Sequence, residues 1–419
     1  MSSSVLPRRA AVIVFLAFAF AYFLSALVRA VTATLAPTLA QEFSLQARDL
    51  GLLAGGYFLG FSATQLPLGT WLDRHGPKKV ALGFLGVAVV GSLVFSAATG
   101  FSGLLAGRVL CGAGVSACLM APLTGYRRWL EPVAQMRANS WMLMTGSLGM
   151  VASTLPVQWA LPLVGWRPLF WALAVLIAVA MVVIAVWVPR WGPANSAPVG
   201  ASADVAPAPQ GYGVVWRHPY FQRLAPLGFF CYGGMVAMQT LWAGPWMQRV
   251  AGYTALESAT GLFWINVSML CTFWTWGMVN PWLLRKGFGA DRLMAMGLPL
   301  CLVVLLGIIL AGPQAGGGAW ALFCVSCTFV SLSQPAVAMA FPQALAGRAL
   351  SAYNLVIFAG VFVVQWGIGL AVDAFAAAGL ATVPAFQAAM AVYLACNASA
   401  YAWFMLRGRR HNVLQTSAP

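Results

Sequence analysis

The chain contains twelve apolar runs, most of them about 20 residues long, and this pattern constrains the fold more than any other feature. A run of that length crosses the hydrocarbon core of a bilayer as an α-helix. The composition agrees, because 61% of the 419 residues are hydrophobic and only 7% are charged, whereas soluble domains carry about 25% charged residues. We therefore predict an all-α membrane protein.

The runs form two groups of six. The predicted spans are residues 11 to 38, 50 to 72, 79 to 99, 103 to 125, 138 to 162, 167 to 188, 220 to 247, 258 to 283, 292 to 312, 317 to 341, 349 to 373 and 383 to 406. A stretch rich in Ser, Ala and Pro separates the groups and has too little apolar content to fold alone. We predict a six-helix bundle at 1–188, a cytoplasmic linker at 189–217 and a second, pseudo-symmetric six-helix bundle at 218–419.

The positive charges give the orientation of these spans. Eighteen of the 23 Lys and Arg residues fall in segments on the side of the N-terminus, and only Arg48, Arg167 and Arg249 fall on the other side. This asymmetry follows the positive-inside rule and predicts that both termini are cytoplasmic. The net charge of +15 therefore reflects topology and contact with anionic lipid, and it does not indicate a nucleic-acid partner.

Two charged motifs interrupt the apolar pattern. The first is the turn Gly69 to Lys79 between spans 2 and 3, which includes Asp73, one of eight carboxylates in the chain. A weaker copy of its Trp-Leu-x-Arg-x-Gly skeleton recurs at Trp282 to Gly287, at the same place in the second half. The second motif is Arg108 in span 4, which is followed by a glycine-rich face.

These motifs resemble those of the major facilitator superfamily of secondary transporters. The signature residues present are Gly69, Asp73, Arg74, Gly76 and Lys78. The resemblance implies a fold of twelve transmembrane helices in two bundles. It also implies that Asp73 accepts hydrogen bonds from the N-terminus of span 11, near Arg348 to Ser351, and so closes the cytoplasmic side. We assign Gly69, Asp73, Arg74, Gly76 and Arg108 to gating.

Arg29 lies well inside span 1, eight residues before Pro37. A charged group at that depth is costly and indicates function or pairing. The chain places no acidic residue at the centre of any span, so Arg29 is expected to bind an anionic ligand. The alternative is a tie to backbone carbonyls of a broken helix. Span 1 also resembles the organic-anion branches of the superfamily, which place an aromatic segment, an Arg and a Pro in the order of Tyr22, Arg29 and Pro37.

The organophosphate branch pairs its Arg with a second base on helix 7, where this chain has only Gln239. A monocarboxylate therefore fits better than a phosphate, because one guanidinium can hold it through two hydrogen bonds. Gln239 and Trp242 share one face of span 7. The predicted substrate-binding residues are Arg29, Tyr22, Tyr57, Gln239, Trp242, Asn266 and Gln365. Further polar residues at span centres are Gln65, Gln158, Gln334 and Asn354, and each of these amides, Gln239, Asn266 and Gln365 included, has the alternative role of an interhelical hydrogen bond.

The leading hypothesis is a transporter in a bacterial inner membrane that carries a small organic anion by alternating access. Proton coupling is left open: the substrate carboxylate could carry the proton, Asp49 could titrate, or transport could be uncoupled. The alternatives are an efflux antiporter for drugs or metabolites, a copper importer using Met and Cys ligands such as Met235, Met238 and Cys271, and a sensor that does not transport. The chain shows no catalytic constellation, so we expect no enzyme activity. We also expect no cofactor and no metal site, and we expect the protein to be a monomer.

Overall fold

A computed structural model describes residues 6–191 and 212–416, and these two segments are helical and contain no strand. Ten helices are long and apolar enough to cross a membrane, and a bent pair raises the number in the described segments to eleven. The helix Gln65–Ser96 is broken at Gly76. The residues before and after this break are two separate passes, so the twelve predicted apolar runs correspond to twelve helical passes.

The first half contains α1 to α6. They are α1 (Arg8–Glu42), α2 (Ala47–Ala63, continued by the part of Gln65–Ser96 before Gly76), α3 (the part after Gly76), α4 (Phe101–Val115 and Ala117–Trp129), α5 (Pro132–Ala152 and Leu155–Val164) and α6 (Trp166–Trp187). Several helices extend past the predicted apolar runs, because a helix continues beyond the hydrocarbon core into the interface.

The second half contains α7 to α12. They are α7 (Pro219–Arg249), α8 (Ala255–Arg285), α9 (Ala290–Ala311), α10 (Gly317–Met339), α11 (Gln343–Ala377) and α12 (Thr382–Thr416). Residues 192–211 of the predicted linker lie outside the described segments. Its last part includes a short helix, Gly213–Arg217.

We name the two ends of the bundle after the segments that lie there. The terminus side carries the start of α1, the turn at Gly76 and the end of α12, and the opposite side carries the α1 to α2 connection and the end of α11. Across the two halves, α2 packs against α11, α1 against α7, and α5 against α8. The cleft between the halves is therefore bordered by these helices.

Three helices depart from regular geometry. Gly76 has a φ of 77°, a conformation that glycine adopts without strain, and a side chain there would overlap Trp191. The two segments of α5 meet at an angle of 43°, beside Pro156. Helix α7 contains two π-helical segments, Leu227–Tyr232 and Met238–Trp242, and such segments often occur at functional sites.

Candidate functional site

Arg29 projects from α1 beside two tyrosines. The side chains of Tyr22 and Tyr57 lie near its guanidinium and interact with it electrostatically, and the guanidinium lies 5.8 Å from the centre of the Phe61 ring. Tyr57 is fully buried and donates a hydrogen bond of 3.4 Å to the carbonyl of Ser25. The Nε of Arg29 is buried and has no hydrogen-bond partner in the described part of the chain. The guanidinium therefore retains an unused donor.

Arg108 forms the kind of tie to backbone carbonyls that was the alternative role for Arg29. It is fully buried on α4, and its Nη1 donates to the carbonyl of Val28 at 2.8 Å, while Nη2 donates to the carbonyl of Arg29 at 3.5 Å. Its guanidinium also lies 4.9 Å from the centre of the Tyr57 ring. Arg108 thus ties α4 to the backbone of α1 at the turn that carries Arg29. We regard it as a positioning residue.

The carboxylates of the described segments are all engaged or exposed away from Arg29. Five of them accept hydrogen bonds: Glu42 from Trp166 and Arg167, Asp49 from the Gln46 N–H, Glu257 from Thr254, Asp291 from Arg223 and Tyr220, and Asp373 from the first N–H groups of α2. Asp73 and Glu131 are exposed to solvent. No carboxylate in residues 6–191 and 212–416 neutralises Arg29 through a salt bridge. A permanent positive charge therefore faces the cleft without a counter-ion.

Three polar side chains of the second half lie on the other side of this cleft. Gln334 Nε2 donates to Asn354 Oδ1 at 2.7 Å, and the Tyr232 hydroxyl donates to Gln334 Oε1 at 3.4 Å. The hydroxyl of Tyr232 lies close enough to Arg29 and Tyr22 to interact with them electrostatically. The two amides were predicted only as polar residues at span centres, and Tyr232 was not predicted. Its position in the first π segment of α7 has no signal in a single sequence.

The four predicted site residues of the second half form a separate hydrogen-bonded group. Gln239 Nε2 donates to Asn266 Oδ1 at 2.9 Å, and Trp242 Nε1 donates to the carbonyl of Gln365 at 3.0 Å. Gln365 Nε2 donates to Thr240 Oγ1 at 2.9 Å. All four predicted residues are buried. The structure therefore brings them together as interhelical hydrogen bonds beside α1, and their contact with substrate stays a prediction.

On the opposite side, Asp373 of α11 caps the first turn of α2. Its Oδ1 accepts from the N–H of Ala47 at 3.2 Å, and its Oδ2 accepts from the N–H of Arg48 at 2.9 Å. We call this contact the opposite-side cap. The N-terminus of a helix favours negative charge because its first N–H groups are unpaired and its macrodipole is positive there. The two halves are thus held together at this end.

Close backbone packing continues from the opposite-side cap. A side chain at Gly51 of α2 would overlap the carbonyl of Gln365, and one at Gly369 of α11 would overlap the carbonyl of Ala47. Farther along the same pair of helices, the rings of Phe61 and Phe358 lie 4.4 Å apart. The α2 and α11 contact therefore closes the cleft from the opposite side inward.

The signature turn, Gly69 to Lys79, lies on the terminus side and does not form a cap like the one on the opposite side. Asp73 and Arg74 are exposed, and Asp73 forms no hydrogen bond or salt bridge with any described residue. Gly69 has open space around it. The turn is anchored by Lys78, whose Nζ donates to the carbonyl of Val188 at 2.7 Å. The predicted contact of Asp73 with the start of α11 is not made in this conformation and stays a prediction for another one.

The soft ligands considered for copper differ in their burial. Met235 and Met238 are buried in the core of the second half, and Cys271 is exposed. Residues 6–191 and 212–416 contain no group of three or more His, Cys, Asp or Glu side chains that could hold a metal ion.

Two relatives match part of the chain. The inner membrane transport protein YajR of Escherichia coli K12 is 27% identical over 213 residues, which are 50% of this chain and 44% of YajR. The multidrug transporter mfsC of Aspergillus fumigatus is 23% identical over 173 residues, which are 40% of this chain and 33% of mfsC. The chain thus matches less than half the length of either relative.

Solved structures match nearly the whole chain. A bacterial homologue of the human lysosomal transporter Spinster, in an inward-facing and unoccupied conformation, has a TM-score of 0.75 at 16% identity, covering 96% of this chain and 98% of that one. A D-xylose–proton symporter has a TM-score of 0.73 at 13% identity, covering 94% and 97%. At these identities the likeness shows the fold. The family model of the Major Facilitator Superfamily matches residues 18–365, and the chain therefore belongs to this superfamily, whose members are transporters and not enzymes.

Proposed function

We propose that the protein is a secondary transporter that carries a small organic anion, of the monocarboxylate class, across a bacterial inner membrane by alternating access. The observation that carries the proposal is Arg29, a half-buried cation whose Nε is buried without a partner and which has no carboxylate partner in the described segments. An unpaired charge inside a membrane bundle costs several kcal/mol. A bound anion would remove much of this cost, because its carboxylate would complete the ion pair.

The surroundings of Arg29 suit a substrate that has one negative charge and a polar substituent. The second cation of this region, Arg108, is fully buried and is already bonded to backbone carbonyls. The second half contributes neutral groups, namely the Tyr232 phenol and the Gln334 and Asn354 amides. One carboxylate can bind Arg29 through two hydrogen bonds. A hydroxyl or amide on the same substrate would then reach the neutral cluster.

The excess of Lys and Arg on the terminus side supports a cytoplasmic location for that side. The opposite-side cap would then close the periplasmic end, and the structure would correspond to an inward-facing state. Exposure of Asp73 on the terminus side supports this assignment. So does the likeness to the inward-facing Spinster homologue. In this state the substrate would leave toward the cytoplasm, and the opposite conformation would form the Asp73 contact instead.

Proton coupling, in this proposal, does not use a protein carboxylate at the centre of the cleft. Asp49, the earlier candidate, accepts a hydrogen bond from the N–H of Gln46 in its own helix at 3.0 Å, which supports a capping role. The proton would then travel on the substrate carboxylate itself, or transport would be driven by the substrate gradient alone. Uptake with and without an imposed pH gradient separates these two cases.

A drug or metabolite exporter is the second candidate. It is favoured by the name of the relative mfsC, a multidrug transporter, and by the aromatic side chains near Arg29, which include Phe61 and Phe358. An exporter would transport substrate into inside-out vesicles and would accept neutral or cationic aromatic compounds. A monocarboxylate importer would not transport such compounds.

The test is uptake into proteoliposomes from a panel of radiolabelled monocarboxylates, with dicarboxylates, a neutral sugar and a cationic dye as comparison compounds. Arg29→Ala is expected to lower uptake of the best monocarboxylate by at least about 30-fold, since removing one partner of a buried charge pair costs about 2 to 5 kcal/mol. Arg29→Lys should restore only part of the uptake, because an ammonium lacks the planar fork of a guanidinium. The control is Arg249→Gln, which removes an exposed cation at the end of α7.

Equal uptake by wild type and Arg29→Ala would refute the anion-binding role of Arg29. Transport of the dye with no transport of any carboxylate would favour the exporter. Each variant is checked by size-exclusion chromatography and thermal unfolding, so that loss of uptake is not confused with loss of fold.

A further inference from the structure

The outer surface of the first half carries a groove of about 550 Å³ between α2, α3 and α4. Its walls include Trp71 from α2 and Val80, Phe84 and Val87 from α3, and none of its lining residues comes from the second half. Trp71 and Val87 are 40% and 38% exposed, so the groove opens outward to the bilayer. It is therefore distinct from the cleft that holds Arg29.

The groove is apolar along its length and cationic at one end. The rings of Trp71 and Phe84 lie 5.7 Å apart and form one wall. From Lys79 to Val87 the groove follows α3 for about 12 Å at 1.5 Å per residue. At the deep end, the Thr64 hydroxyl is already hydrogen-bonded to Ser116 at 2.7 Å. The deep end thus suits a hydrocarbon chain.

The end on the terminus side is lined by Lys79 and His75 and lies next to Arg74. All three side chains are exposed, and no salt bridge within the described segments engages them. Their neighbour Lys78 differs, because its ammonium donates to the carbonyl of Val188. Cations at the membrane surface attract anionic lipid, at about 1 kcal/mol for each Lys or Arg.

We propose that this groove is a binding site for one anionic glycerophospholipid. The phosphate binds Lys79 and His75, and an acyl chain lies along Trp71 and Phe84. The apolar wall alone would not select a lipid, because the surrounding bilayer is equally apolar. Selectivity for negative charge comes from the cationic end, and selectivity for a chain at this position comes from the shape of the groove.

The test measures lipid binding to delipidated, purified protein by native mass spectrometry. Phosphatidylglycerol is the anionic probe, and phosphatidylcholine with the same acyl chains is the zwitterionic one. Wild type is expected to bind phosphatidylglycerol at least about fivefold more tightly, which corresponds to one or more surface cations. Lys79→Gln is expected to lower the preference for phosphatidylglycerol over phosphatidylcholine by about fivefold. The matched control is Lys286→Gln, an exposed lysine in the corresponding turn of the second half, stacked on Trp282.

A second variant blocks the groove without changing charge. Gly83 faces the groove, and nothing lies within 4 Å of a Cβ built on it, so Gly83→Leu can fill the space while the helix is kept. It is expected to abolish tight phosphatidylglycerol binding. Gly277→Leu on α8, which also has open space, is the control and should bind as wild type does.

Equal binding of the two lipids by wild type would overturn the proposal. So would unchanged binding in Gly83→Leu, since the groove would then not be the site. Neither result depends on which solute is transported, because substrate uptake is not part of the measurement.

Discussion

The opposite-side cap should set the balance between the two conformations of the transporter. Asp373→Asn keeps the size of the side chain and removes its charge. The two hydrogen bonds to Ala47 and Arg48 then lose their charged acceptor, and the first turn of α2 loses its anion. Charge-assisted hydrogen bonds are worth about 1.5 to 3 kcal/mol each, and a charge at an exposed helix end about 0.3 to 1 kcal/mol.

Asp373 is only partly buried, so solvent and salt screen part of this interaction. We expect a net loss of about 1 to 3 kcal/mol for the conformation closed on the opposite side, which changes the ratio of the two conformations by about 5 to 150-fold. The change lies within the range of a conformational equilibrium, and the variant should remain folded.

Distances between spin labels can report this shift. Noncanonical amino acids should carry the labels, because the chain has eight cysteines. A pair at Leu163 and Leu256 reports on the opposite side across α5 and α8, and a pair at Glu131 and Lys286 reports on the terminus side. In Asp373→Asn, the population with a long distance should increase for the first pair, and that with a short distance should increase for the second.

Glu42→Gln is the matched control for this experiment. Glu42 lies on the same side of the bundle, but its hydrogen bonds go to Trp166 and Arg167 of its own half, both at 2.6 Å. It should leave both distance distributions unchanged. The reasoning is refuted if Asp373→Asn gives the wild-type distributions, or if Glu42→Gln produces the same shift.

Two further predictions concern stability. Arg108→Gln should lower the free energy of unfolding by about 1.5 to 3 kcal/mol, because it removes a charged donor from the buried carbonyl of Val28; an unchanged unfolding temperature in detergent would contradict the proposed tie between α4 and α1. For Glu42, burial alone would raise the pKa, but the hydrogen bonds from Trp166 and Arg167 and the charge of Arg167 outweigh it and lower the pKa below the ordinary 4.5. Its contribution is therefore present above pH 4.5 and is lost as the pH falls through the lowered pKa. Wild type should exceed Glu42→Gln in stability at pH 7 by less than about 1 kcal/mol, since the pair is exposed, and the difference in unfolding temperature should vanish once the pH lies below the lowered pKa of Glu42.

Apolar run length was sufficient to predict the membrane-spanning helices. The hydrocarbon thickness fixes how many residues a helix needs, so a count of apolar residues finds each pass. The same count cannot find where a helix ends outside the bilayer, and α11 begins at Gln343, six residues before the predicted span. It also could not show the two π segments of α7, which depend on packing against neighbouring helices.

Residue chemistry predicted which groups were unusual but not how they are paired. Arg29 and Arg108 look alike in sequence, since each is a lone guanidinium in an apolar run. Only the three-dimensional arrangement shows that Arg108 donates to the carbonyls of Val28 and Arg29 through Nη1 and Nη2. The Nε atoms of both arginines are buried without a partner, so the two residues differ in these backbone contacts. Asp373 is the last residue of the predicted span 349 to 373. Which helix N-terminus faces it depends on the packing of the two halves.

The π segments of α7 bear on how this chain can change over evolutionary time. Each π segment has one more residue between bonded backbone groups than an α-helix does. Deleting one residue from an ordinary membrane helix rotates every later residue by about 100°, because the helix has 3.6 residues per turn. Deleting one within Leu227–Tyr232 would instead convert the wide turn to a regular one and leave both flanks facing as before. Insertions and deletions in α7 are therefore expected to concentrate in these two segments, where they can move Tyr232 relative to the cleft while the rest of the bundle is conserved.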